Sequence, residues 1–386
     1  MPQVPRAGMP ELYIGLMSGT SLDGVDGVLA DFSGDRLRVV CHAAAPFPRQ
    51  LKAELLALNT PGDNELHRAA LAANALVRLY AAVVGGLLRT ANLPPAQIQA
   101  IGAHGQTVRH RPQEFDAEPR QGIAGGYTLQ LNNPALLAEL TGIDVVAEFR
   151  TRDVAAGGQG APLVPAFHRE VFGTAGEPLA VLNIGGISNL SLLGGASGAA
   201  LLGFDCGPGN ALMDAWCQQH TGEPFDRAGA WAAQGSVHLP LLAILMADPF
   251  LAKGPPKSTG RDLFNPAWLA SALASAPAAS AVDVQATLTE FTAQACADAV
   301  LRHGSGSRQL IVCGGGALNA SLMQRLQARL PGMAVQSSAR HGLPPLEVEA
   351  AAFAWLARQT VLRRPGNLAS VTGAKGERVL GAVYPA

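Results

Sequence analysis

Gly15-Leu16-Met17-Ser18-Gly19-Thr20-Ser21-Leu22-Asp23-Gly24-Val25-Asp26 is the stretch on which the fold turns. Leu12 to Leu16 is a short apolar run, and Val25 to Phe32 is a second. The Gly- and hydroxyl-bearing residues between them read as the turn of a β-hairpin. Such a turn aims backbone N–H groups and two hydroxyls at one spot, an anion nest suited to a polyphosphate. Asp23 or Asp26 offers a hard oxygen ligand for Mg²⁺. An ordinary Gly/Asp hairpin turn is the competing reading.

Outward from the hairpin, Arg36 to Ala45 is a third strand and Glu65 to Ala91 a helix with apolar residues at helical spacing. Ile98 to Ala103 is a strand ending at His104-Gly105-Gln106-Thr107, Asn133-Pro134 opens a helix, and Ile143 to Ala147 is buried. The pattern then begins again. Strands are expected at Leu179 to Ile184, Ser188 to Leu193 and Ala199 to Phe204, with a helix from Gly209 to His220. Helices at Leu239 to Met246 and Val284 to His303 precede a strand at Gln309 to Val312, and a helix runs from Asn319 to Leu330. Leu346 to Arg363 is a last long helix and Arg378 to Val383 a last strand. Two successive hairpin-led α/β units are the organisation of the actin/hexokinase ATPases.

Length and composition agree. A chain of 386 residues exceeds one ordinary core. Residues 48% hydrophobic and 15% charged supply core and argue against disorder. A net charge of −1 gives no basic field for a nucleic acid or an anionic membrane. No run of about 20 uninterrupted apolar residues is present to span a bilayer, and the start lacks a signal peptide's apolar core. Five scattered cysteines, without a C-x-x-C pair, point to a reducing cytosol rather than to disulfides or zinc.

Four further groups carry chemistry. Asn183-Ile184-Gly185-Gly186-Ile187-Ser188-Asn189 repeats the strand-end glycine turn at the start of the second unit, so the two turns would face each other across a cleft. Cys313-Gly314-Gly315-Gly316-Ala317-Leu318-Asn319 joins a strand to a helix whose N-terminus favours negative charge. Its spacing is neither the dinucleotide fingerprint nor a Walker A loop. Asp205, at a strand end before Gly207-Pro208-Gly209-Asn210, is placed to act as a base or to cap the next helix. Asn210 stands closer to the cap position. The last group is polar: His104 and Gln106, Arg150, Arg152 and Asp153, and Lys257-Ser258-Thr259-Gly260-Arg261-Asp262. Its arginines suit a carboxylate or a surface ion pair.

Taken together, G-L-M-S-G-T-S-L-D-G-V-D, H-G-Q-T-V-R-H, A-A-G-G-Q-G-A-P-L-V-P-A-F-H, L-N-I-G-G-I-S-N, F-D-C-G-P-G-N-A-L-M-D-A-W, P-K-S-T-G-R-D-L-F-N and C-G-G-G-A-L-N resemble the anhydro-N-acetylmuramic acid kinases over Leu12 to Tyr384. The resemblance implies an α/β, two-domain actin/hexokinase-like ATPase fold of ribonuclease H-like units with an interdomain cleft. Residues 1–150 with 366–386 would form one domain and 151–365 the other. It implies ATP, Mg²⁺, a cytoplasmic homodimer and a place in peptidoglycan recycling. In the implied reaction, water adds to the anomeric carbon of a 1,6-anhydro sugar while O6 attacks the γ-phosphate, giving N-acetylmuramic acid 6-phosphate.

Residue by residue, Asp205 matches the general base. Gly19, Thr20, Ser21, Leu22, Asp23, Gly24, Val25 and Asp26, with Gly185, Gly186, Gly314, Gly315, Gly316 and Asn319, are the expected ATP-binding set. His104, Gln106, Arg150, Arg152, Asp153 and Glu349 are the expected sugar-binding set. Many sugar kinases of this fold have an aspartate where Met17 stands, so the metal ligands stay open. The segment Glu114 to Tyr127 is longer than the family pattern and reads as a surface insertion. A non-catalytic ATP- or sugar-binding sensor, or a plain amino-sugar hydroxyl kinase, are the alternatives on this fold.

Overall fold

A computed structural model describes residues 10–19, 22–112, 126–174, 177–194, 201–255, 257–260, 263–304 and 306–386. Thr20, Ser21, Arg261, Asp262 and nearly all of the expected insertion lie outside the described residues.

In chain order the structure begins with β1 (Leu12–Met17), β2 (Gly24–Asp31), β3 (Arg38–Pro46), α1 (Arg49–Ala57) and α2 (Glu65–Ala91). Next come β4 (Ile98–Ala103), β5 (Gln106–Arg111), β6 (Tyr127–Leu131), α3 (Pro134–Thr141), β7 (Val145–Ala147), α4 (Thr151–Ala155) and α5 (Val164–Phe172). A second series holds β8 (Leu179–Ile184), β9 (Ile187–Leu193), β10 (Leu202–Pro208), α6 (Ala211–Thr221), α7 (Leu239–Met246) and α8 (Pro249–Ala252). It continues with α9 (Pro266–Ser275), α10 (Ala281–His303), β11 (Gln309–Cys313), α11 (Ala320–Arg329) and β12 (Ala334–Ser337). The chain closes with α12 (Val348–Val361), α13 (Ala369–Thr372) and β13 (Ala382–Tyr384).

The two main sheets share one plan. The first has the order β13-β7-β4-β1-β2-β3, the second β10-β9-β8-β11-β12. In each, a leading antiparallel hairpin and third strand lie to one side, and a parallel strand joins the first strand on the other. The expected doubling of a hairpin-led α/β unit is therefore present in strand order, although no short-period repeat is visible in the sequence.

The chain divides into two compact units, residues 1–171 with 347–386, and residues 172–346. These limits differ from 150/151 and 365/366, and the difference has a cause. α12 belongs to the first unit because it lies on β1 and β4 backbone to backbone. A Cβ added at Gly15 would stand 1.8 Å from the Ala350 carbonyl oxygen, and one at Gly102 2.0 Å from that of Phe353. Only glycine permits that approach, and the alanines of α12 allow the helix to sit low. α4 belongs to the first unit through Asp153, whose carboxylate accepts hydrogen bonds from Asn367 (2.6 Å) and Thr372 (2.7 Å).

α2 is long and apolar enough by composition to cross a membrane. Its buried stripe, Ala72, Ala73, Leu76, Val77, Tyr80, Val83, Val84 and Leu87, instead belongs to the core of the first unit. Three local expectations are corrected. Arg378 to Gly381 is not strand, and β13 is confined to Ala382–Tyr384. β10 begins at Leu202 and continues through Pro208, because a bulge after Asp205 lets the Gly-Pro pair stay in the sheet. His104 to Thr107 is not a simple loop, since β5 starts at Gln106 and pairs with β6.

Candidate active site

In the second unit, β8 and β11 are parallel neighbours, Cys313 opposite Asn183, so their C-terminal ends lie side by side. Parallel strands place ligands at such ends. The glycine turns meet there. Gly314 has φ +77°, and a Cβ on it would meet the Asn183 side-chain oxygen at 2.5 Å and the Ile184 carbonyl oxygen at 2.6 Å. Asn210 lies on the same spot: its side-chain amide donates to the Ile184 carbonyl (3.1 Å) and its backbone N–H to Gly185 (2.7 Å). Gly209 N–H donates to Gly186 (2.9 Å). Gly185, Gly186, Gly314, Gly315 and Gly316 are thus one cluster. Asn319 caps α11 with its side-chain oxygen, accepting from Leu322 N–H at 3.0 Å. Asn210 precedes α6 but makes no side-chain cap, contrary to its sequence reading.

Asp205 sits on β10 opposite Asn189, one residue before the bulge. Its neighbours Phe204 and Cys206 point into the core, so Asp205 faces the other way and keeps partial exposure. It does not cap a helix. Its Oδ2 accepts the Thr259 N–H at 2.9 Å, and its own N–H donates to the Lys257 carbonyl at 3.1 Å. Burial pushes its carboxyl up to about 6, opposed by the Thr259 N–H and the nearby Lys257 ammonium. A carboxylate tuned toward neutrality is suited to take a proton near physiological pH.

In the first unit, β1 and β4 are the matching parallel pair, Leu16 opposite Ala103. Ser18 Oγ donates to the Gly105 carbonyl (3.0 Å), and Tyr80 OH lies 2.9 Å from Ser18 Oγ while accepting the Gly105 N–H (3.1 Å). Tyr80 therefore ties the two strand-end loops together. By its spacing Tyr80 is one more buried position on the apolar stripe of α2, and nothing in that spacing marks the hydroxyl. Gln106 donates to the Gly19 carbonyl (3.2 Å), and its buried side-chain oxygen has no hydrogen-bond partner among the described residues. That orphan acceptor fits a polar ligand. His104 is buried against Phe353 and accepts a hydrogen bond from Arg150 Nε at 3.1 Å. Burial, then the Arg150 charge, pulls its imidazole down to about 3, so it is neutral. Arg150 also donates to the Gly160 carbonyl at 2.8 Å. Burial lowers its guanidinium to about 10, while Glu349 and Asp153 favour its charge. His104, Arg150 and Glu349 are accordingly one electrostatic neighbourhood.

Other expected residues go elsewhere. Leu22 and Val25 are core. Gly24 lies against the Ala45 carbonyl. Asp26 pairs with His42 at 3.1 Å, raising the His42 imidazole. Asp23 is largely exposed, 3.6 Å from Lys52. Arg152 is exposed on α4. Asp153 is fully buried, accepting from Gly160 N–H (2.8 Å) as well as from Asn367 and Thr372. It is a structural hub whose acceptor oxygens are already occupied by the protein.

A doubled hairpin-led unit with glycine turns at the ends of its central parallel strands defines the actin/hexokinase class of ATPases, which includes sugar kinases. The sequence profile of the anhydro-N-acetylmuramic acid kinases matches residues 11–386, and the chain belongs to that family. It is 70% identical to the anhydro-N-acetylmuramic acid kinase of Variovorax paradoxus (strain S110), over 97% of this chain and 99% of that one. It is 62% identical to that of Albidiferax ferrireducens, over 98% and 100%. Similar solved structures include the activator of 2-hydroxyisocaproyl-CoA dehydratase from Clostridium difficile, with bound ADPNP. That protein is 13% identical, at a TM-score of 0.44 covering 91% of this chain and 96% of that one. A ROK-family glucokinase from Streptomyces griseus, in complex with glucose and AMPPNP, is 16% identical, with a TM-score of 0.41 and coverage of 90% and 99%.

Proposed function

We propose that this chain uses ATP to open and phosphorylate 1,6-anhydro-N-acetylmuramic acid in peptidoglycan recycling, with Asp205 as the base. Asp205 accepts a proton from water as the water oxygen bonds to the anomeric carbon. The bond from that carbon to O6 breaks, and O6 takes the γ-phosphoryl group, releasing ADP. The products are N-acetylmuramic acid 6-phosphate and ADP. The observation that carries this reading is the carboxyl of Asp205, lifted by burial toward neutrality while held by a backbone N–H.

Gly185, Gly186 and Gly314 to Gly316 form the nucleotide end of the second unit in this reading, with the first hairpin turn as its counterpart in the first unit. His104, Gln106, Arg150 and Glu349 serve the sugar. Phosphoryl transfer is chiefly positioning and charge neutralisation. Mg²⁺ arriving on nucleotide phosphates needs only one or two protein oxygens. The described residues contain no cluster of three or more metal-ligating side chains, which fits such a phosphate-borne ion better than a protein cage. The exposed carboxylate of Asp23 is available to it, whereas Asp26 is engaged by His42. When bound, the ion would neutralise phosphate charge. The same reading carries a cytoplasmic homodimer.

The test is an end-point reaction of ATP, Mg²⁺ and the anhydro sugar in ¹⁸O-labelled water. A reducing-sugar 6-phosphate labelled at the anomeric oxygen is expected. Turnover of N-acetylglucosamine with the anhydro sugar inert, or label in phosphate alone, rejects the proposal.

A further inference from the structure

The segment Lys257–Gly260 runs as an irregular stretch beside Asp205 of β10. Asp205 N–H donates to Lys257 O, and Thr259 N–H returns to Asp205 Oδ2. One end of the segment is tied down by Gly260, whose carbonyl accepts the N–H groups of Leu263 and Phe264, both at 3.3 Å. Phe264 is buried in the core of the second unit. The other end is tied by Lys257. Its ammonium donates to the carbonyls of Phe250 (3.2 Å) and Leu251 (3.4 Å) at α8, and lies 4.7 Å over the Phe250 ring and 5.9 Å from that of Phe204. A half-buried cation held on two carbonyls and an aromatic face is a specific anchor.

We propose that Lys257 is a positioning residue for the reaction: by anchoring the segment that clamps Asp205 Oδ2, it fixes the direction in which that carboxylate reaches for a proton. The inference rests on the reading of Asp205 as the base. Lys257 does not touch the reacting atoms in this scheme. It acts through the Thr259 N–H, and its charge favours the ionised carboxylate. Among the described residues, the other charged and titratable groups around the pair are Lys253 beyond α8, Asp298, Arg302 and His303 on α10, and the thiols Cys206 and Cys296. Arg302 is itself engaged, donating to the Leu251 carbonyl at 3.0 Å.

The experiment measures kcat against pH for the wild type, Lys257→Met, Lys257→Arg and Asp205→Asn. Loss of the anchor should lower kcat of Lys257→Met on the order of tenfold to a hundredfold, as small misplacements of a catalytic group do. Its KM for ATP should hold. The acid limb of its profile should move up by roughly half to one pH unit, because a cation favouring the carboxylate has gone. Lys257→Arg, which keeps the charge and can still donate to the two carbonyls, should restore most of the rate. A Lys257→Met enzyme with wild-type kcat and an unmoved acid limb, or with reduced kcat and an unmoved limb, overturns the proposal. Should Lys257→Met fail to fold, Thr259→Pro deletes the same N–H with the lysine anchor in place. Its acid limb should also move up, here because the N–H that favours the ionised carboxylate has gone, and an unshifted limb shows that the segment does not clamp Asp205 and overturns the proposal. Asp205→Asn separates the two claims. If it is inactive while Lys257→Met is normal, only the positioning role falls; if it is fully active, the base assignment falls and takes this role with it.

Discussion

Gly15 of β1 lies directly beneath Ala350 of α12, so closely that a Cβ on the glycine would stand 1.8 Å from the alanine's carbonyl oxygen and 2.5 Å from the backbone nitrogen of Ala354. The opposing atoms are backbone, so no rotamer change can yield space. Gly15→Ala is expected to lose about 3 kcal/mol or more of stability, at or beyond the upper end of ordinary overpacking. Gly142→Ala, where φ is +65° and nothing lies within 4 Å, should cost only about 1 kcal/mol of backbone strain. Denaturant unfolding of both variants checks the contrast, and equal losses would show that α12 can shift.

Asp205→Asn is expected to lower kcat about 10²–10⁴-fold, the usual range for removal of a general base. Wild-type kcat should fall as pH drops through about 6, where the carboxyl takes up its proton. Stability should run the other way. The folded carboxyl binds its proton more tightly than the unfolded one at 3.8, so its contribution is full below that value and is lost as pH rises through about 6. Asparagine carries no charge to bury. The variant should therefore melt higher than the wild type above pH 6 and level with it near the unfolded value. Melting curves across this range decide the matter, and a variant that is less stable at every pH contradicts it.

Asp153 was expected at the sugar and is found at the join between α4, α13 and the loop before α13. Asp153→Asn turns one carboxylate oxygen into an N–H donor facing Gly160 N–H on one side or Asn367 and Thr372 on the other. Asn367 cannot simply flip, since its side-chain oxygen accepts the Arg378 N–H at 2.6 Å. We expect a loss of roughly 2–4 kcal/mol from the unmatched buried groups, with KM for sugar and kcat per folded molecule little changed. Kinetics normalised to folded protein test this; a selective rise in the sugar KM would return Asp153 to the binding site.

Much of the fold was legible because the signals were local. The β1–β2 and β8–β9 hairpins announce themselves as apolar runs broken by glycine turns, and α2 by its spacing. β12 was missed because Ala334–Ser337 has only four residues and mixed polarity, so only its partner β11 makes it a strand. β5 was missed because its partner β6 begins sixteen residues after β5 ends. In the candidate site, the strand-end glycine turns and the placing of Asp205 on a strand were legible as local motifs, while their roles belong to the proposal. The hydroxyl of Tyr80 was not, since a tyrosine in an apolar stripe looks like any other core residue. The hydrogen bonds of Asp153 to the far end of the chain were illegible for the same reason. Its partners, Asn367 and Thr372, are more than two hundred residues away in sequence, and no spacing rule connects them.

The placement of α12 bears on how the molecule comes into being. During synthesis β1 and β4 emerge early, but the helix that covers their glycine-bearing face is encoded only after all of residues 172–346. The second unit is continuous in the chain and has its whole sheet and core available once residue 346 has left the ribosome. The first unit must keep one face of its sheet uncovered until residue 361 appears. A nascent chain halted near residue 346 would thus hold one complete unit and one still awaiting α12, α13 and β13.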